Sequence, residues 1–208
     1  MPRYDLAVFD FDGTLVDSLP WLLTVMNDAA RRFGFREVAD DEVERLRAMD
    51  HRAILAHLGL PLWRLPQVAT HVRALAAAGP PSPRFAGVDA LLPALRAAGV
   101  RVAVVSSNAE ETIRRGLGPL ASHVERVDGG ASLWGKARKL RATVRALGVT
   151  PARTLAIGDE LRDVEAARAA GLAAGAVTWG YHHAAVLRAA APDHIFDDIA
   201  ALRATLLG

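Results

Sequence analysis

Asp10 and Asp12 are the first residues of this chain whose type and spacing point to chemistry. They end an apolar run, Leu6 to Phe9, in the string AVFDFDGTL. A short run rich in Val and Phe and stopped by Gly reads as a buried strand. Side chains two apart on a strand point the same way, so both carboxylates crowd into one volume past the strand's C-terminal end. Carboxylates that close either share a proton or bind a cation, and a hard divalent ion such as Mg²⁺ lets both stay ionised. Gly13 lets the backbone turn, and Thr14 offers a hydroxyl or amide to an anion. Taken alone, the same residues also fit a solvated Asp-rich turn.

Three further segments lie where other strands should end. In VRVAVVSSN, residues 100–108, apolar positions lead into Ser106, Ser107 and Asn108, small hydrogen-bonding residues suited to phosphate oxygens. Lys136, in LWGKARKL, is one of only two lysines among 25 basic residues, the other being Lys139. A lysine is a compact point charge able to meet a carboxylate and a phosphate oxygen together, where the arginine fork fits differently. In TLAIGDELRDVEAARAAG, residues 154–171, a strand delivers Asp159 to complete a metal site, and Asp163 follows one helical turn on.

These residues need a frame. Apolar runs near 5–10, 100–106, 153–158, 173–178 and 194–197 alternate with Ala/Leu/Arg-rich helical stretches. The alternation predicts an α/β fold with a doubly wound parallel sheet and right-handed crossovers. Ligands in such sheets bind beyond the C-terminal strand ends, where Asp10, Ser106 and Asp159 fall. Residues 17–83 carry helical patterns and no clear strand, and close on Gly79-Pro80-Pro81-Ser82-Pro83. They are read as an inserted all-helical cap on a core of residues 1–16 and 84–208.

In order and spacing, DFDGTLVDS (10–18), Ser106, Lys136 and GDELRD (158–163) resemble the haloacid dehalogenase-like (HAD) superfamily of phosphohydrolases over nearly the whole chain. DGTLVDS ahead of a helical insertion, with AVTWGY at 176–181, resembles the phosphoglycolate phosphatase-like branch. The chain departs from the pattern in lacking a Pro after Lys136, which keeps Lys139 as an alternative, and in placing Glu160 where Ser is frequent. The resemblance implies a Rossmann-like HAD core with a helical cap and Mg²⁺-dependent hydrolysis of small phosphate monoesters such as 2-phosphoglycolate. In that reading Asp10 is the nucleophile and Asp12 the general acid and base. Mg²⁺ is held by Asp10, the main-chain carbonyl of Asp12, and Asp159. Ser106, Ser107, Asn108 and Lys136 contact phosphate, and Asp163 orients Lys136 or a metal-bound water. Arg47 and His51, on one cap helix and one face, are candidates for a substrate carboxylate or second phosphate. Trp21 and Trp63 read as core of the cap, and Trp179 to His183 as a rim of the cleft without a metal role.

Composition narrows the classes. With 208 residues, 51% of them hydrophobic, the chain can bury a full core. The calculated pI near 9.5 invites a nucleic-acid reading, but the net charge is only +2 and the arginines are scattered among acids. The absence of cysteine excludes thiol catalysis and zinc-thiolate sites. No run reaches the ~18 apolar residues of a membrane span. The expectation is a cytoplasmic enzyme, monomer or weak homodimer, whose partner is a small phosphorylated metabolite and neither nucleic acid nor membrane. Asp12 argues against a dehalogenase, and the lack of a cap lysine against phosphonate cleavage. A phosphosugar mutase uses the same carboxylates and stays open, as does a non-catalytic binding protein, against which the complete motif set speaks.

Overall fold

The computed structural model describes residues 2–131 and 135–208. At its centre is β1 (Leu6–Phe9), buried on both faces. Leu6 and Val8 point into one apolar layer, and Ala7 and Phe9 into the other. A strand covered twice can have no polar side chain until it ends, which is why the continuous apolar run gives way at once to Asp10. Parallel neighbours pair on both sides, β2 (Arg101–Val105) and β4 (Thr154–Gly158), with Phe9 level with Val104 and Ile157. The sheet is completed by β3 (Arg126–Asp128), β5 (Ala173–Val177) and β6 (His194–Phe196), in the order β3-β2-β1-β4-β5-β6 and wholly parallel.

The strand β3 is absent from the sequence reading. It has three residues, of which only Val127 is buried, and its flanking Arg126 and Asp128 pair with each other at 2.6 Å. An edge strand this short and charged carries no apolar run to detect.

Between β1 and β2 the chain forms α1 (Leu19–Phe33), α2 (Val43–Arg47), α3 (His51–His57) and α4 (Leu65–Ala78), with short 3₁₀ turns between, and then α5 (Val88–Ala97) on the sheet. Pro20 and Pro66 sit in the first turns of α1 and α4, where no helical N–H is lost. Two small apolar clusters, around Leu60 and Val68 and around Leu46 and Leu58, hold this helical segment together. The chain leaves and re-enters the sheet unit side by side: Asp17 N–H donates to Pro83 O (2.8 Å) and Phe85 N–H to Leu15 O (3.1 Å). The remaining helices are α6 (Glu110–Leu117), α7 (Lys136–Ala146), α8 (Leu161–Ala170), α9 (Ala184–Ala189) and α10 (Ile199–Leu207). Helices α5, α6 and α10 cover one face of the sheet, and α7, α8 and α9 the other. Among the described residues no helix is long and apolar enough to cross a membrane.

Candidate active site

The ends of β1, β2 and β4 deliver Asp10, Ser106 and Asp159 to one place, all buried. Asp10 N–H is still part of the sheet, donating to Ile157 O at 2.8 Å. Its carboxylate meets the Lys136 ammonium at 2.9 Å, and the same ammonium donates to Asp163 Oδ1 at 2.6 Å. Lys136 opens α7 and Asp163 lies in the first turn of α8, so two helices of one layer bring a cation between two carboxylates. Asp163 can come this close because residue 158 is glycine: a Cβ there would lie 2.3 Å from Asp163 Oδ2. Lys139 is spent elsewhere, on the carbonyl of Gly129, which settles the choice between the two lysines as regards contact with Asp10.

Asp12 is oriented from β2. Asn108 Nδ2 donates to Asp12 Oδ2 at 2.6 Å, and the Asn108 amide donates to Ser106 Oγ at 3.2 Å. Asp159 is held from two loops: Thr14 Oγ1 donates to Oδ1 (2.7 Å) and the Tyr181 amide to Oδ2 (2.8 Å). The Thr14 hydroxyl, read from sequence as an anion donor, is therefore committed to a carboxylate. Gly13 makes the arrangement possible, with φ +72° and an absent Cβ that would sit 2.2 Å from Asp159 Oδ2.

Burial sets the protonation tendencies. It pushes Asp10 up to about 7 against the pull of Lys136, while the Asp163 charge raises it further and Arg162 lowers it. Asp12 is raised by burial and drawn back by the Ser18 hydroxyl and the Arg162 charge. Asp159 is raised well above the carboxylate range, by burial and by the charges of Glu160, Asp163 and Asp10. Burial works against the Lys136 ammonium, but Asp10 and Asp163 hold its pKa above the ordinary lysine value. Acids thus outnumber cations in a buried volume, and hard oxygen donors of this kind fit Mg²⁺. The carboxylate oxygens of Asp10, Glu160 and Asp163 lie within 4.8 Å of one another. Asp159 stands outside that trio, its oxygens on Thr14 and Tyr181.

The model for haloacid dehalogenase-like hydrolases matches residues 7–177. The chain belongs to that family. A phosphoglycolate phosphatase of Synechococcus elongatus is 38% identical over 91% of each chain. The tyrosine-protein kinase PtkA of Mycobacterium tuberculosis is 30% identical over 86% of this chain and 64% of its own. A predicted phosphatase of Clostridium acetobutylicum has the same fold, with a TM-score of 0.82, 22% identity and 98% of each chain covered. The hydrolase is a phosphatase of the phosphoglycolate phosphatase-like branch.

In this hydrolase Arg47 and His51 are not on one helix. Asp50 caps a new helix, its carboxylate accepting from the Ala53 amide at 2.8 Å, so α2 ends at Arg47 and α3 begins at His51. Arg47 donates to the carbonyls of Tyr181 and Gly180, both at 3.0 Å, and pairs with Glu44. His51 Nε2 meets Glu160 Oε2 at 2.6 Å. Both side chains join the helical segment to the sheet unit. Trp63 is 68% exposed rather than core, with the Arg64 guanidinium over its ring, and Trp21 lines the cleft beside Asp12.

The sequence reading passed over Glu160 and Arg162 as site residues. Glu160 Oε1 accepts from Arg162 Nε (2.9 Å) and Nη2 (2.5 Å), while its Oε2 faces His51. The available signal was an acid in place of a small residue with an arginine two positions on. His51, Glu160 and His182 bring ligand atoms within 4.8 Å. His182 Nδ1, however, accepts from the Leu161 amide at 2.9 Å, which puts its proton on Nε2 and leaves no lone pair for a cation. Between the helical segment and the sheet unit lies a cavity of about 460 Å³, walled by Asp12, Ser107, Asn108, Arg162 and Tyr181 below and by Trp21, Leu65 and Val72 above.

Proposed function

We propose that the hydrolase cleaves small phosphate monoesters, 2-phosphoglycolate among them, with Mg²⁺ bound and through an aspartyl-phosphate on Asp10. The observation that carries this reading is the Lys136 ammonium between Asp10 and Asp163, beside an Asp12 held by Asn108. The relatives named phosphoglycolate phosphatase support the substrate.

An Asp10 oxygen attacks phosphorus and the ester P–O bond breaks. Asp12, whose carboxyl is raised by burial, gives its proton to the leaving alkoxide. The resulting Asp12 carboxylate then takes a proton from water, whose oxygen attacks phosphorus and frees Asp10 and inorganic phosphate. Ser106, the Ser107 amide and Lys136 donate to the phosphoryl oxygens, and Asn108 keeps Asp12 aimed. Asp163 fixes Lys136. Asp10, the carbonyl of Asp12, and Asp159 would hold Mg²⁺, with Asp163 near. Held by these residues, the ion would screen the approach of two anions and would stabilise charge on the transferring group.

Residues 17–83 act as a cap that shields this chemistry from water, on a core of 1–16 and 84–208. The protein works in the cytoplasm, as a monomer or weak homodimer, on a small phosphorylated metabolite. The test is phosphate release from a panel of phosphomonoesters with and without Mg²⁺, with Asp10→Asn as control. Mg²⁺-dependent release lost in Asp10→Asn is expected, and no release from any ester overturns the reading.

A further inference from the structure

Arg162 is the cation that the cleft leaves open. Its Nε and Nη2 share one oxygen of Glu160, and among the described residues no group is hydrogen-bonded to Nη1. About a quarter of the side chain, 24%, is exposed, although the residue sits in the first turn of α8 beside buried Asp163. Arg162 lines the cavity described above, sharing its wall with Asp12, Ser107 and Asn108, and also borders a second cleft of about 440 Å³ beside Lys136 and His51. The guanidinium is therefore gripped along one edge and free along another, the state in which an arginine fork receives a planar or tetrahedral oxyanion with little further ordering.

The partners around it narrow what that oxyanion is. The phosphoryl group has its own set of donors in the proposed mechanism, at Lys136, Ser106 and Ser107. On the far side the cavity wall is largely apolar, formed by Leu22, Leu65 and Val72, with exposed Arg73 the one other cation lining it among the described residues. Arg47 is turned onto main-chain carbonyls and His51 onto Glu160, and neither of these two side chains lines this cavity.

We propose that Arg162, held in place by Glu160, is the specificity-determining residue that receives a second acidic group, a carboxylate or phosphate, on the leaving-group side of the substrate. The inference rests on the phosphatase reading and deepens it. A site that pairs a partly buried cation with a substrate anion discriminates strongly against an analogue lacking that anion, because the cation is then left without its partner.

The test compares 2-phosphoglycolate with ethyl phosphate, which has the same two carbons and no carboxylate. Arg162→Met leaves Glu160 with His51 alone, so the double variant Glu160→Gln/Arg162→Met is made beside it, and melting temperatures confirm that both fold. The expected result is a fall of at least about tenfold in the ratio of kcat/KM for 2-phosphoglycolate over ethyl phosphate, carried mainly by KM. Arg162→Lys recovers part of that ratio. An equal loss on both esters, or an unchanged ratio, overturns the proposal. Binding of the two esters to Asp10→Asn protein, with and without the double substitution, is measured by calorimetry. A wild-type protein that hydrolyses neither ester sinks the phosphatase reading, while the calorimetric ratio still decides for or against Arg162. Failure of both esters to bind overturns the assignment.

Discussion

Asn108 Nδ2 stands 2.6 Å from Asp12 Oδ2, so a side chain just beyond β2 fixes the carboxylate that lies just beyond β1. The pair spans 96 positions of sequence and joins two neighbouring strand ends, which makes Asn108 a positioning residue for the proton donor proposed above.

Asn108→Ala is expected to lower kcat about 10- to 100-fold with KM little changed, since a misaimed acid slows the step without weakening phosphate binding. Asn108→Asp should fall further, because it sets two carboxylates against each other. Steady-state phosphate release checks both, and an alanine variant within twofold of the wild type refutes the role.

Replacing Lys136 separates charge from shape. Lys136→Met leaves Asp10 and Asp163 buried without the ammonium that stands 2.9 and 2.6 Å from them. Removing one partner from such a buried set costs about 3–5 kcal/mol, seen as a lower melting temperature, and turnover disappears. Lys136→Arg restores the charge and part of the stability, but its planar fork does not reproduce a point charge between two oxygens, and activity stays low.

Asp159 offers the reverse combination. Its carboxyl is pushed well above the usual range, chiefly by burial and then by three neighbouring acids. An acid whose folded pKa is raised takes stability from the fold as pH climbs from the unfolded value, 3.8, to the folded one. At neutral pH in a chelator, Asp159→Asn should therefore melt higher by about 2–4 °C, a gain of roughly 1 kcal/mol, while losing activity. Mg²⁺ should raise the melting temperature of the wild type and not of the variant. A variant that melts lower in chelator contradicts the charge-crowding account.

At the sheet edge, His194 Nε2 lies 2.7 Å from the Tyr4 hydroxyl and its ring stacks on Phe196. Burial and the nearby Arg3 charge lower its pKa from 6.5, against an opposing pull from Asp193. A histidine kept neutral in this way contributes stability fully above pH 6.5 and loses it as pH falls through the folded value. Melting curves between pH 7.5 and 5 should show that acid loss, and His194→Gln should flatten it.

How much of this was readable beforehand follows from the length of each signal. The strand β1 announced itself because both faces are covered and every residue from Leu6 to Phe9 must be apolar. Asp10, Asp12, Ser106 and Asp159 followed from the rule that parallel sheets present their strand ends together. The strand β3 gave no comparable run. The break between Arg47 and His51 was written in Asp50, a residue type that starts helices, but a helical period read across it hid the cap. Glu160 and Arg162 were easy to pass over for a different reason: an acid and a base two apart look like surface, and only the fold brings His51 of α3 onto Glu160.

The paired exit and return of the helical segment has a consequence for how the chain folds. Phe9 must find Val104 to register β1 against β2, which requires closing a loop of more than ninety residues. If residues 18–82 collapse first and bring Asp17 to Pro83, the remaining search is only tens of residues long. Loop-closure entropy grows by about 0.6 kcal/mol for each doubling of length. Shortening the search in this way would lower the entropic barrier to the central strand pairing by roughly 1 kcal/mol, so a helical segment that forms first would speed the assembly of the sheet.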